Sequence, residues 1–232
     1  MTSCTLILAS GAGSRTGLDM PKQFFKIKNK TILEYAVETF ERHTDILSIV
    51  IVSNPEYFTE TKNIVSKYKK IIKIVKGGET RQKSSYNGLK SIEKMNFDNV
   101  LIHDAARPFA DADTITGCID ALKRCQAAAP AVDCSDTILQ VNKDGVIDKI
   151  PDRQLLRRCQ TPQAFNYNLI LKAHELAAAE KYFSASDDCS LILRYNLAPV
   201  HTVQGNPNNI KITYMNDIYQ AEKIAQQYNY FI

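Results

Sequence analysis

A glycine-rich loop directly after the first apolar run is the feature that most constrains this chain. The run Thr5–Leu8 predicts a buried first strand, and the next residues read Ala-Ser-Gly-Ala-Gly-Ser-Arg-Thr-Gly. The glycines let the backbone turn tightly and bring its N–H groups close to a ligand. Arg15 and Lys22 add two cations, which suits a polyphosphate because its negative charge needs both amides and cations. We interpret Leu8–Phe24, the glycine loop, as a nucleoside triphosphate loop.

Two other nucleotide-binding patterns fit this loop poorly. The glycine spacing is not G-x-G-x-x-G, and no acidic residue follows about 20 residues later at the end of a second strand, as a nicotinamide-dependent oxidoreductase requires. The Walker pattern fails because Lys22 is followed by Gln23. A regulatory module that only binds nucleotide stays open as an alternative, although it would have no use for both Arg15 and Lys22.

Composition narrows the class of protein further. The chain has 232 residues and a formal charge of +4, which is too mild to predict a nucleic-acid surface. No apolar run approaches the ~18 residues of a membrane span. The six cysteines are scattered without a C-x-x-C pair, so neither a zinc site nor a small disulfide framework is expected. The first residues read as a strand and not as a signal peptide, and we therefore expect a cytoplasmic location.

Short apolar runs alternate with helical patterns through the first half of the chain. This alternation predicts an α/β fold with a mainly parallel twisted sheet and helices on both faces, in which ligands bind at the carboxyl ends of the strands. Thr31 and Glu34 form a capping-box signature at the start of the first helix. The predicted strands are Cys4–Ala9, Leu47–Ser53, Ile71–Val75 and Val100–His103, and the predicted helices are Thr31–His43, Tyr57–Tyr68, Arg81–Glu93 and Asp113–Cys125.

The second half adds a hairpin to this pattern. Two β-rich runs, Thr137–Val141 and Val146–Ile150, flank a turn that contains Gly145. A two-stranded ribbon is marginal alone in water, so we expect a second copy of the chain to cover it, unless the hairpin lies on its own domain. The prediction is one domain over residues 1–232 with a β-arm over 134–153. The later helices are Asn166–Ala179, Asp187–Tyr195 and Asn216–Tyr228, and the later strands are Pro199–Val203 and Ile210–Thr213.

Two motifs stand where strands end near the glycine loop. The sequence His-Asp-Ala-Ala-Arg-Pro puts Asp104 and Arg107 after the fourth strand, where an Asp can hold ribose, a metal-bound water or a reacting group. Ala105 permits close approach of a ligand, and the alternative is an Asp–Arg pair that only pins the turn. The turn Gly77–Ser84 could read the edge of a base, or it could be an ordinary strand-to-helix turn.

Three later segments carry weaker signals. Arg153 stands at the base of the predicted arm, and Ser186-Asp-Asp188 is typical first of a helix N-cap. A lysine inside a predicted strand, such as Lys211, is more often an edge residue that faces solvent than a ligand.

No G-x-S-x-G elbow or H-x-x-x-H spacing points to covalent or zinc catalysis. Their absence is consistent with phosphoryl-type transfer, which depends on positioning and charge neutralisation.

These motifs, in this order, resemble the cytidylyltransferases of the methylerythritol-phosphate pathway of isoprenoid synthesis. The resemblance implies a Rossmann-like nucleotidyltransferase fold, a protruding β-arm, a homodimer with exchanged arms, and Mg²⁺ with CTP as donor. A sister family, the ribitol-phosphate cytidylyltransferases, shares nearly all of these motifs. It often has Asp-Ala-Val-Arg where this chain has Asp-Ala-Ala-Arg, and this difference favours the isoprenoid family. The matching blocks are Leu8–Phe24, Gly77–Ser84, His103–Pro108, Thr161–Phe165, Ser186–Asp188 and Asn209–Thr213.

The resemblance also implies roles for individual residues. Arg15 and Lys22 would stabilise the transition state at the α-phosphate, while Arg153 from the partner's arm and Lys211 would position the acceptor phosphate. Asp104 is the expected metal-associated residue. Ser10 and Ser186 depart from the residues usual at those positions, and both keep small side chains. The implied CTP site is Ala9, Ser10, Gly11, Ala12, Gly13, Gly77, Gly78, Arg81, Ser84, Asp104 and Ala105, with supporting contacts from Arg107, Thr161 and Ser186.

Overall fold

The structure, a computed structural model of the chain, describes residues 1–11, 13 and 20–228. Its strands are β1 (Ser3–Ala9), β2 (Lys26–Ile27), β3 (Lys30–Thr31), β4 (Ile46–Ser53), β5 (Ile71–Lys76), β6 (Asn99–Asp104), β7 (Ala127–Asp133), β8 (Gln140–Val141), β9 (Ile147–Lys149), β10 (Arg157–Cys159), β11 (Gln163–Asn166) and β12 (His201–Gln204). Its helices are α1 (Ile32–Arg42), α2 (Phe58–Val65), α3 (Arg81–Ser91), α4 (Ala112–Ala121), α5 (Tyr167–Ala179), α6 (Asp188–Arg194) and α7 (Met215–Tyr228).

The central sheet has the order β10-β7-β11-β6-β1-β4-β5, with β12 paired to β7. The β1, β4, β5 and β6 pairings are parallel, and β12 runs parallel to β7, whereas β10 and β11 are antiparallel to their neighbours. The predicted mainly parallel α/β architecture is therefore confirmed. In register, Ala9 lies opposite Ser53, which lies opposite Lys76, while Leu8 lies opposite Asp104. The loops after all four strands consequently emerge at one edge of the sheet.

Helices cover both faces of the sheet because side chains alternate along each buried strand. On β1, Leu6 and Leu8 pack in a core with residues of α3, α5 and α6. Ile7 and Ala9 face the other side and pack with residues of α1, α2 and α4. A smaller core joins α7 to Phe109 and Ile212. The first helix begins with the predicted capping box, in which the Thr31 N–H donates to Glu34 Oε2 at 2.7 Å and the Glu34 N–H donates to Thr31 Oγ1 at 3.2 Å.

One sequence interpretation of secondary structure is wrong, and several strands were not predicted. Ile210–Thr213 is not a strand, because Ile212 anchors it by donating its N–H to the carbonyl of Ala106 at 2.9 Å and by burying its side chain against α7. A loop held by one buried apolar residue gives the same alternation as a short strand. Strands β2, β3, β7, β10 and β11 were not predicted, since an alanine-rich run and segments of two to four residues lack the β-branched composition of a typical strand.

The hairpin of the second half is present, with β8 and β9 antiparallel. Every residue from 135 to 150 is exposed, including the apolar side chains of Val141, Val146, Ile147 and Ile150. No helix in the described part of the chain is both long and apolar enough to cross a membrane.

Candidate active site

A cavity of about 840 Å³ lies at the carboxyl edge of β1, β4, β5 and β6. This volume is within the usual range for a small-molecule site. The structure brings together eleven of the residues that the sequence singled out, which are Ala9, Ser10, Gly11, Lys22, Gly77, Gly78, Arg81, Asp104, Ala105, Ser186 and Lys211. Arg15 and Ala12 lie outside the described residues. Asn54, Pro55 and Glu56 also line the cavity and were not predicted.

The glycine loop and the Gly77–Ser84 turn meet in a close contact between Ser10 and Gly77. A Cβ atom built on Gly77 would lie 2.4 Å from Ser10 Cβ, so this approach requires glycine at position 77. The Ser10 hydroxyl donates to Ser84 Oγ at 2.7 Å, and Ser84 Oγ accepts from the Gly78 N–H at 3.1 Å. Ser84 therefore does not line the cavity but joins its two loops.

The buried side chain of Gln23 anchors the glycine loop through hydrogen bonds to its backbone. Its buried Nε2 donates to the carbonyls of Ala9 at 2.8 Å and Gly11 at 3.1 Å. Lys22 precedes it in a short 3-10 turn, Lys22–Phe24, and its side chain reaches the cavity. Gly13 does not line the cavity, but it has a φ of +74° and a Cβ there would lie 2.9 Å from the Lys22 backbone nitrogen. Sequence reasoning placed Gln23 within the glycine loop but did not predict that its side chain would anchor the loop.

Asp104 is the centre of an ionic network at the cavity wall. Its Oδ1 accepts from Arg81 Nε at 2.9 Å and its Oδ2 accepts from Lys211 Nζ at 2.7 Å. Burial alone would raise the pKa of Asp104, but the charges of Arg81 and Lys211 and their hydrogen bonds outweigh it and hold the pKa well below its usual range. The carboxylate is therefore ionised at neutral pH. Lys211, which the residue pattern alone favoured as a solvent-facing edge residue and which the resemblance assigned to the site, lines the cavity.

A second carboxylate, Asp188, lies on the other side of Arg81. Arg81 Nη1 donates to Asp188 Oδ2 at 2.7 Å, and Asp188 Oδ1 accepts from Ser85 Oγ at 2.6 Å and bonds to His174 Nε2 at 2.9 Å. Its side chain is only 1% exposed. Burial opposes ionisation, but Arg81 and these hydrogen bonds lower the pKa of Asp188. Sequence reasoning treated this segment as a helix cap, which Asp187 indeed provides, and missed Asp188.

Thr161 supports Asp104 from behind, together with His103. Thr161 Oγ1 accepts from the Asp104 N–H at 3.1 Å and lies 3.0 Å from His103 Nδ1, while His103 Nε2 lies 2.9 Å from the Arg107 carbonyl. Because a carbonyl only accepts, Nε2 carries the proton and Nδ1 accepts from the threonine hydroxyl. Burial lowers the pKa of His103 to about 4. A neutral imidazole therefore fixes the backbone at Asp104, and Thr161 does not line the cavity.

Two predicted arginines do not line the cavity of their own chain. Arg107 forms no pair with Asp104; its Nη1 and Nη2 donate to the carbonyls of Asn209 at 2.8 Å and Cys159 at 3.1 Å. Its turn directs the side chain toward these carbonyls, so it stabilises the loop that carries Lys211. Arg153 is exposed in a 3-10 turn and donates to the Ser135 carbonyl at 3.1 Å. It lies beside a second cavity of about 290 Å³ at the base of the hairpin.

A metal ion fits this site only in one manner. The described residues contain no group of three or more His, Cys, Asp or Glu side chains arranged to hold a metal ion. Both oxygens of Asp104 already accept from cations, which disfavours direct ligation. Each oxygen keeps a second lone pair, however, and Mg²⁺ usually retains several waters while it binds substrate phosphates. The residues therefore fit a hydrated Mg²⁺ held mainly by a triphosphate.

Comparison with known proteins decides the family. The profile of the family described as IspD, 2-C-methyl-D-erythritol 4-phosphate cytidylyltransferase, matches residues 3–227. The chain belongs to this family. It is 42% identical to the 2-C-methyl-D-erythritol 4-phosphate cytidylyltransferase of Clostridioides difficile over 94% of this chain and 92% of that protein. It is 39% identical to the enzyme of the same name from Thermobifida fusca, over 95% of this chain and 92% of that one.

Solved structures of the family agree with the fold described above. The 4-diphosphocytidyl-2C-methyl-D-erythritol synthase of Anaerococcus prevotii superposes with a TM-score of 0.86 at 31% identity, covering 97% of this chain and 96% of that one. The 2-C-methyl-D-erythritol 4-phosphate cytidylyltransferase of Thermus thermophilus gives a TM-score of 0.78 at 28% identity, covering 97% and 100%. The chain is thus a cytidylyltransferase, a class of nucleotidyltransferase, as the motifs indicated.

Proposed function

We propose that the 840 Å³ cavity is the active site in which this cytidylyltransferase binds both of its substrates. As a member of its family, the enzyme transfers CMP from CTP to 2-C-methyl-D-erythritol 4-phosphate and releases pyrophosphate, a step of isoprenoid precursor synthesis. The observation that carries the assignment is the convergence of Lys22, the Ser10–Gly77 contact and the Asp104–Lys211 pair on one cavity.

The donor nucleotide occupies the side formed by the glycine loop and the Gly77–Ser84 turn. In the reaction, an oxygen of the acceptor phosphate attacks the α-phosphorus of CTP while the bond to pyrophosphate breaks. Negative charge grows on the α-phosphate oxygens, and Lys22 and Arg15 stabilise it. The amides of Ala9–Gly13 bind the triphosphate, and the Gly77–Ser84 turn, with Arg81 at its helix start, binds the nucleoside.

The acceptor occupies the side of the cavity that is lined by Ser186 and Lys211. An ammonium group has three donors, so Lys211 can bind a phosphate oxygen while one donor stays on Asp104 at 2.7 Å. Arg153 reaches the acceptor site of the partner subunit, in a homodimer held through the β-arm of residues 134–153. The exposed apolar residues of the hairpin support this role, since a partner surface would bury them.

Magnesium accompanies the nucleotide. When bound, the ion neutralises triphosphate charge and polarises the α-phosphate. Asp104 would hold one of its waters, and Arg81 and Lys211 keep that carboxylate ionised and in place. We also propose a cytoplasmic location, where CTP is available.

The test is pyrophosphate release with CTP, Mg²⁺ and each of two acceptors, 2-C-methyl-D-erythritol 4-phosphate and ribitol 5-phosphate, offered side by side. We expect turnover with the methylerythritol phosphate to exceed turnover with ribitol phosphate. Greater turnover with ribitol phosphate would assign the chain to CDP-ribitol synthesis. Nucleotide binding with no turnover on either acceptor would reduce it to a binding module.

A further inference from the structure

Arg81 is held by two carboxylates at once. Its Nε donates to Asp104 at 2.9 Å and its Nη1 donates to Asp188 at 2.7 Å, so two donors of one planar group are committed to different carboxylates. Because a guanidinium is planar and rigid, the hydrogen bond at Nη1 restricts the positions that Nε can take. A change in the charge or position of Asp188 is therefore expected to act on Asp104 through the guanidinium that both carboxylates share.

The negative and positive charges of the network formed by Asp188, Arg81, Asp104 and Lys211 are equal in number. Asp104 and Asp188 carry two negative charges, and Arg81 and Lys211 carry two positive charges. Removing the charge of Asp188 leaves Arg81 with one carboxylate to satisfy, and the arginine can then move toward the cavity or compete more strongly with Lys211 for Asp104. Either change alters the place of the Lys211 ammonium.

Asp188 is itself anchored firmly. Ser85 and His174 both bond to its Oδ1, and its backbone N–H donates to Gln163 Oε1 at 3.0 Å. It begins α6 and is almost completely buried, so it does not touch the cavity. A buried carboxylate that is fixed from three elements and bonded to a cavity-lining cation has the arrangement of a support for that cation.

We infer that Asp188 is a positioning residue which, through Arg81 and Asp104, holds the Lys211 ammonium where it meets the acceptor phosphate. The inference rests on the proposed role of Lys211. It assigns to the second aspartate of Ser186-Asp-Asp188 an effect on acceptor use, across a chain of three ionic contacts and with no contact to either substrate.

The experiment compares Asp188→Asn, Lys211→Gln and the double variant, with kcat and KM measured separately for each substrate and folding checked by thermal unfolding. In Asp188→Asn the shape is kept, but the charge that Arg81 needs is lost. We expect kcat/KM for the acceptor to fall on the order of tenfold, as for the loss of one member of a coupled network, and KM for CTP to rise as well because Arg81 also belongs to the nucleoside site. In the Lys211→Gln background, we expect Asp188→Asn to lower kcat/KM for the acceptor by less than twofold.

The control is Ser190→Ala, which removes a hydrogen bond to the Asp187 carbonyl at the start of the same helix and leaves the Asp188 carboxylate alone. We expect Ser190→Ala to leave both kcat/KM for the acceptor and KM for CTP unchanged. If Asp188→Asn does not fold, Ser85→Ala takes its place, since it removes one hydrogen bond from Asp188 and keeps the charge. We then expect Ser85→Ala to lower kcat/KM for the acceptor two- to threefold in the wild-type background and to have no further effect in the Lys211→Gln background.

Two outcomes overturn the ideas separately. Asp188→Asn, or Ser85→Ala in its place, could lower kcat/KM for the acceptor equally in the wild-type and Lys211→Gln backgrounds. That result would show that Asp188 does not act through Lys211, and it would refute the inference while leaving the proposed function intact. Normal acceptor use by Lys211→Gln would overturn the proposed acceptor site itself.

Discussion

Adding a single methyl group at Gly77 should weaken CTP binding. In Gly77→Ala the new Cβ would lie 2.4 Å from Ser10 Cβ, whereas ordinary contacts between such atoms begin at 3.4 Å. The glycine loop and the Gly77–Ser84 turn must therefore separate by about 1 Å, because neither atom is the end of a flexible side chain. Both loops line the cavity, so the separation falls between two parts of the nucleotide site.

The expected size of the effect follows from this overlap. Overpacking of a tight contact costs about 1–3 kcal/mol. The free enzyme relieves the strain by letting the loops part, and CTP binding must then restore the original spacing. Most of the cost therefore appears in binding, as a rise in the Kd for CTP of roughly 5- to 150-fold.

A compensating substitution tests whether the contact with Ser10 is the cause. Ser10→Gly removes the opposing Cβ, and the next neighbour of the new methyl group is Ser84 Oγ at 3.0 Å, the end of a rotatable side chain. We expect the double variant to bind CTP within about threefold of Ser10→Gly alone, as measured by isothermal titration calorimetry. Gly117→Ala is the matched control, because a Cβ there meets nothing within 4 Å. It should leave CTP binding unchanged and stabilise α4 by about 0.5–1 kcal/mol.

Two results would refute this reasoning. Unchanged CTP affinity in Gly77→Ala would mean that the loops separate at no cost. An equal loss of affinity for Gly77→Ala in the wild-type and Ser10→Gly backgrounds would place the conflict elsewhere in the turn.

The remaining predictions concern chemistry, assembly and pH. Lys22→Ala should lower kcat about 100-fold or more, ~3 kcal/mol, with little change in KM for CTP, because its charge matters most in the transition state; a rise in KM alone would assign it to binding. Arg153→Ala mixed with Lys211→Ala should regain part of the activity once subunits exchange, since one site of each heterodimer is then intact; no recovery despite confirmed exchange contradicts the shared site. The pKa of His103 is lowered from 6.5 to about 4, so the unfolded state binds its proton first as pH falls. The free energy of unfolding should therefore drop by about 3 kcal/mol between pH 6.5 and 4 in urea titrations. His103→Gln should lack this component, and parallel profiles of wild type and variant would show that the imidazole is not held neutral.

The sequence by itself determined the local features of this protein. The first strand, the capping box of Thr31 and Glu34, and the alternation that leads to a parallel sheet all depend on residues near one another in the chain. The glycine loop and its lysine could likewise be recognised because their chemistry lies in one short segment. Parallel strands then brought the loops to one edge, as topology requires.

Tertiary structure alone decided which charges meet. Arg81 finds Asp188, 107 residues away, and Lys211 finds Asp104 at the same separation, while the neighbouring Arg107 turns to carbonyl groups instead. Sequence reasoning offered a pair between Asp104 and Arg107 only as an alternative, and it could not find the distant partners because the packed backbone sets the direction of each side chain. That direction is fixed only when the whole sheet is packed. Pairing of buried charges depends on burial and geometry, and neither is a property of any local pattern.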